Sequence, residues 1–327
     1  MKSKSIVGGI ILPLRLVTSW LFLSAVLRRL ILAPAKHDFD SPMWIGHKIN
    51  TFFPHANGPF KAMLGYLVEN PIQMNWFTYV FTYSELIVGI LLLVGFASRF
   101  TGLLLASLGI GLMHTAGWLG PTCLDEWQIA SLLTTVGGVM LLFGSGSYSL
   151  DNYFNTKYPS LPKNKYWFYT TAPNLLLNSK YYKTIILSFS TVAVLYVMGT
   201  NQLLHGGVLG NLHNYSTKPD FVLDNFHKEG NIVSFDALRD KGPETYGAFI
   251  TKVILLDSEE NKIKEIDLSS KNKEDISLHN YYINKANFNS QSIVFPLGAK
   301  ANVSIFATKD THGVMLVDIS GREFTIH

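Results

Sequence analysis

Five stretches of this chain, 6–32, 78–97, 100–118, 127–143 and 184–204, are apolar for close to the roughly 20 residues a helix needs to cross a bilayer. Lipid offers the backbone no hydrogen-bond partners, so such stretches span as helices. The fourth is short, and Trp127 at its start suits a membrane interface. The first begins with Lys2 and Lys4 and ends at Ala33-Pro34-Ala35, which imitates a secretory signal. Its apolar run exceeds the about 7–15 residues of a signal core, and it carries Arg15, Arg28 and Arg29. We read it as an uncleaved membrane helix. The composition, 48% hydrophobic and 15% charged, lies below the about 25% charged residues of an average soluble protein.

Basic residues set the expected orientation. Lys2 and Lys4, the turn at Arg99, and Lys157, Lys163, Lys165, Lys180 and Lys183 all fall on one side, the cytoplasm. The 33–75 loop, the 120–126 loop and everything after 204 then lie outside. A net charge of +4 without a basic block gives no reason to expect nucleic acid as a partner. One cysteine excludes an intrachain disulfide, and there is no CxxC for zinc or thiol–disulfide chemistry. Haem would need two axial ligands, and His114 alone is well placed. No metal or haem is predicted.

Two ionisable residues fall deep inside membrane stretches. Arg15 lies roughly 14 Å from the inner end of the first helix and Glu85 roughly 18 Å from that of the second, at 1.5 Å per residue. A lone charge at such depth is costly, so an Arg15–Glu85 pair is expected. It would serve as a helix clasp or as the polar end of a proton path or quinone site. His114 and Trp118, four residues apart near the outer end of the third helix, offer a donor beside an aromatic wall. At the same outer face Arg28 and Arg29 face the loop GPTCLDEWQIA, with Cys123, Asp125, Glu126 and Trp127. The arginines are either snorkelling interface residues or cations for an anionic substrate. Asp125 and Glu126 suit the first turn of a helix as well as a site.

Beyond residue 204 the chain becomes polar and rich in turns. Strands are expected at 251–256 and 263–268, as a hairpin around DSEEN, and at 292–296, 302–307, 314–319 and 323–327. Short strands at this spacing predict a β-sandwich.

The run YSELIVGILLLVGFASRFTGLLLA, with its acid, its glycines and a serine-arginine turn, resembles the DoxX-like superfamily of four-helix membrane proteins. HTAGWLGPTCLDEWQIA brings it closer to DoxD, the small subunit of thiosulfate:quinone oxidoreductase. GGVLGNLHNYSTKPD, after a fifth helix and before a β domain, resembles the companion DoxA subunit. The fold expected is therefore a membrane α-helical bundle of four DoxX-like helices plus a fifth linking helix, followed by an extracytoplasmic all-β sandwich-like domain. Its parts would be a DoxD-like domain at 1–157, a cytoplasmic linker at 158–183, the fifth helix at 184–204 and a DoxA-like domain at 205–327. The resemblance implies a multi-pass protein of the cytoplasmic membrane that oxidises thiosulfate to tetrathionate and passes electrons to a membrane quinone. The alternative is a non-enzymatic DoxX-like assembly or partner-binding protein. A homo-oligomer and a further partner subunit both remain open.

On the enzymatic reading, Arg28, Arg29 and Trp127 bind thiosulfate, and Cys123, Asp125 and Glu126 act on it. Arg15, Glu85, His114 and Trp118 serve the quinone and its protons. Cys123 is weighed against a plain loop residue packed between Trp118 and Trp127.

Overall fold

The computed structural model describes residues 2–119, 125–171, 181–211, 218–243, 247–269 and 275–327. Cys123 lies outside them, and the side chain of Asp125 is likewise not described. The chain divides into two compact units, one formed by 1–44 and 75–214, the other by 45–74 and 215–327.

The first unit is helical. Helix α1 (Lys2–Leu27) runs into a π-turn at Arg28–Leu32, which closes with the Ala33 amide donating to the Arg28 carbonyl at 2.8 Å. Helices α4 (Pro71–Val94), α5 (Ser98–Ala116), α6 (Asp125–Phe143) and α9 (Tyr182–Leu204) follow, with short helices α7 (Leu150–Lys157) and α8 (Lys165–Thr170) between the last two. Among the described residues four segments have the length and hydropathy of membrane spans, Ile11–Leu32, Pro71–Val94, Glu126–Phe143 and Lys183–Leu204. Helix α5, which carries Arg99 and His114 beside several glycine, serine and threonine residues, is not among them. Those small residues let it approach α6 backbone to backbone. A Cβ on Gly102 would stand 2.5 Å from the Leu141 nitrogen, and one on Gly109 2.6 Å from the Thr134 nitrogen.

At one end of α4 the chain turns sharply through Gly95, at φ +67°, and Ala97, at φ 49°. Asp151, delivered by the start of α7, caps α5 by accepting from the amides of Ala97 at 2.9 Å and Ser98 at 2.8 Å and from the Ser98 hydroxyl. Burial pushes the Asp151 carboxyl up, and these hydrogen bonds and the charge of Arg15 partly offset it.

The second unit holds α2 (Ile45–Phe52), α3 (Gly58–Glu69) and ten strands. Strands β1 (Asp220–Glu229), β2 (Ile232–Lys241), β8 (Lys300–Phe306) and β5 (Ile276–Asn280) form one antiparallel sheet in the order β1-β2-β8-β5. The other runs β10-β9-β3-β7-β6, with β4 also paired to β3. Its members are β3 (Ala248–Leu256), β4 (Lys262–Asp267), β6 (Asn287–Phe288), β7 (Ile293–Phe295), β9 (Gly313–Asp318) and β10 (Glu323–Ile326). Val233, Phe235, Val253, Leu255, Val303, Ile305 and Leu316 alternate inward to form one apolar core. Phe221 sets its ring edgewise to Phe295 and Phe324, at 5.2 and 5.0 Å. The expected hairpin is β3–β4, in the register Lys252 opposite Asp267. Strands β1, β2, β5 and β6 were not expected from sequence. In β1 the register shifts between Asp224 and His227, where Asn225 adopts φ 57°, and this bulge breaks the alternation.

Candidate functional site

Successive residues of a helix point about 100° apart, so adjacent arginines cannot share a direction. Arg28 is exposed and Arg29 is 7% exposed. Arg29 turns toward α4 and forms an ion pair with Glu85, itself 9% exposed. Its Nη1 donates to the Thr82 hydroxyl at 3.0 Å, its Nε to the Ala25 carbonyl at 3.3 Å, and its guanidinium lies 5.5 Å from the Phe81 ring centre. π-turns often occur at functional positions, and this one bears the buried cation.

The short turn Pro34–Lys36 brings His37 back over the same spot. Its Nε2 is 3.1 Å from the Thr82 hydroxyl, its ring stacks on Tyr79 at 4.8 Å, and its carbonyl accepts from the Tyr79 hydroxyl at 3.4 Å. Burial, and then the charge of Arg29, lowers the basicity of His37, which favours the neutral ring. The Thr82 oxygen accepts from Arg29 and also meets His37 Nε2, and which of that second pair donates depends on the tautomer of the ring. The ring's Nδ1 is buried and makes no hydrogen bond among the described residues. The result is an imidazole with one buried, unpartnered nitrogen beside a paired charge and an aromatic face, all from α1, α4 and the turn between them.

The expected Arg15–Glu85 pair does not form. Arg15 donates instead to the carbonyls of Ser145 at 2.8 Å and Tyr148 at 2.7 Å. A Cβ on Gly95 would collide with its guanidinium, which places Arg15 level with the end of α4. Arg29 lies fourteen residues further along the helix, roughly 21 Å. Glu85 therefore falls within reach of Arg29 and not of Arg15. The depth argument overlooked that backbone carbonyls at the Gly144–Ser149 bend satisfy a guanidinium without any acid.

Residues 10–185 match the family model described as TQO small subunit DoxD. The chain belongs to the DoxD family. Residues 204–326 match the model described as TQO small subunit DoxA, so the two thiosulfate:quinone oxidoreductase subunit families are fused in one chain. The DoxD match ends four residues into α9 and the DoxA match begins at its last residue, which leaves α9 as the joint. No solved structure matches the chain.

The DoxD portion commits several expected site residues to structural bonds. Trp118 lies past the end of α5, is fully buried, and donates its indole N–H to the Thr115 carbonyl at 3.1 Å. Trp127 donates to the Thr200 hydroxyl of α9 at 3.1 Å. His114 and Glu126 are partly exposed. Arg29 and Glu85, expected in separate sites, are brought together. Thr82, His37 and Tyr79 were missed. Thr78, Thr82 and Glu85, at i, i+4 and i+7, form a polar stripe that signalled this face of α4. His37 has no comparable signal, since it reaches the site only through a turn. No three His, Cys, Asp or Glu side chains converge to suit a metal among the described residues.

Proposed function

We propose that this DoxD–DoxA chain is a membrane thiosulfate:quinone oxidoreductase. The observation that carries the reading is the succession of two families of that enzyme's subunits along one chain. Two thiosulfate dianions join to give tetrathionate and two electrons, and a quinone takes those electrons with two protons. On the thiosulfate side we assign Arg28, the exposed cation, with Cys123, Asp125, Glu126 and Trp127. The Cys123 thiolate and one thiosulfate would form an S–S bond as the quinone takes the electron pair and two protons from water. A second thiosulfate would then displace the thiolate and leave as tetrathionate. On the quinone side we assign Arg29, Glu85 and His37. A quinone carbonyl is an acceptor, and His37 Nδ1, buried beside the Tyr79 ring, would donate to it when it carries the ring proton.

We further propose that the N-terminus is cytoplasmic and the β domain extracytoplasmic. The three basic inner segments support this, and so does the parity of the chain. Residues 45–74 fold with the β domain, so the two share a side. Helices α4, α5, α6 and α9 lie between them, and an even number of crossings is needed. Helix α5 must then span, although its hydropathy alone does not nominate it.

The test is purified protein with thiosulfate and a soluble quinone analogue, read by tetrathionate formation and quinol absorbance. Tetrathionate in equal amount to quinol is expected; neither product at any quinone concentration would refute the enzymatic reading. The alternative, an assembly or partner-binding role, draws on the structural bonds that occupy Arg15, Trp118 and Trp127. It predicts no turnover in the same assay.

A further inference from the structure

The segment between α1 and α4, read from sequence as an outer loop, is bound to the β domain by a set of specific contacts. Asn50 of α2 is fully buried. Its Nδ2 donates to the Gly298 carbonyl at 2.9 Å, and its Oδ1 accepts from the Asn284 amide at 2.9 Å. The Asn284 side chain answers in kind. It donates to the His47 carbonyl at 3.2 Å and the Leu297 carbonyl at 2.9 Å, and its oxygen is 3.0 Å from His47 Nδ1. The Val68 carbonyl of α3 accepts from the Ile283 amide at 3.2 Å, and Phe53 meets Tyr282 edge to face at 5.4 Å. Gly298 sits at φ +76°, and a Cβ there would stand 2.6 Å from the Asn50 carbonyl oxygen, so only glycine admits this approach. His55 adds one contact with Asp240, at 3.5 Å.

Helices of 8 and 12 residues are marginal alone in water. Two reciprocal asparagines, buried and bonded on both edges, specify one arrangement and penalise any other. We propose that residues 45–74 are the receptor for the β domain. Recognition by α2 and α3 holds it, rather than the covalent connection after α9, and a DoxA-type module made as a separate chain would dock on this segment in the same way. The partner surface is the edge formed by residues 281–284 and 297–298. This inference is independent of the thiosulfate reading, because no activity enters its test.

The test uses the full chain carrying a specific protease site inserted between residues 211 and 218, cleaved after folding in opened membrane vesicles. The severed β fragment should stay with the membranes through a wash in 1 M salt. At that ionic strength the screening length is about 3 Å, which strips a fragment held only by lipid charge. Asn50→Leu leaves the Gly298 carbonyl and the Asn284 amide unpaired and should raise the released share about tenfold or more. Gly298→Ala should do the same from the other side. Loss of the wild-type fragment in the wash would overturn the proposal, as would retention of the Asn50→Leu fragment at the wild-type level. The released Asn50→Leu fragment should keep its strand signal in circular dichroism. Its loss would also count against docking, because Asn50 lies outside the sheets.

Discussion

Removing either partner of the Arg29–Glu85 pair should cost more than removing both. The two side chains are 8% and 11% exposed. Removing one member of a buried pair typically costs about 3–5 kcal/mol. Glu85→Gln leaves a guanidinium that cannot shed its proton. It retains the Thr82 and Ala25 contacts at 3.0 and 3.3 Å, but its charge is unpaired, and the full cost should appear. Arg29→Met removes the cation from beside Glu85 and should cost a similar amount. The double variant Arg29→Met with Glu85→Leu removes both charges and should recover most of the loss. The assay is thermal unfolding in detergent, beside quinone turnover. A Glu85→Gln protein as stable as wild type, or a double variant no more stable than either single one, would refute the reasoning.

Cys123→Ser should abolish thiosulfate-dependent quinone reduction; wild-type turnover in a membrane preparation would remove the thiol from the mechanism. His37 has its basicity lowered in the fold from an ordinary pKa of 6.5, so below that pH the unfolded chain takes up a proton that the native site resists. Stability should thus fall as pH drops from 6.5 through the lower native value, and His37→Gln should flatten that slope in melts recorded from pH 7.5 to 5. Arg239, pushed down to about 10 by burial, donates to the carbonyls of Phe295, Pro243 and Lys241 at 2.9, 2.8 and 3.2 Å. Arg239→Met should destabilise the β domain by about 3 kcal/mol, seen as faster limited proteolysis within 218–327.

The sequence by itself determined the division into a membrane half and a β half, the position of the long apolar helices, and the families to which the halves belong. Hydropathy and turn chemistry are local properties, and a bilayer leaves the backbone few ways to satisfy itself. The hairpin at β3–β4 was legible for the same reason, since a polar turn joined two runs of alternating residues. Helix α5 was legible as an apolar run, but not its meeting with α6 at backbone distance through Gly102 and Gly109.

Only the tertiary structure decided the charge partners. Arg15 and Glu85 are close in depth when counted along their helices, yet the bend after α6 presents carbonyls that satisfy Arg15, and a π-turn brings Arg29 to Glu85 instead. The sequence contains no signal for which acceptor a long guanidinium will find across 130 residues. The same holds for His37, placed by a three-residue turn, and for Asn50 and Asn284, which meet across 234 residues. A hydrogen bond between distant residues depends on where two elements end after packing, and that position is a sum over the whole unit rather than a property of either neighbourhood.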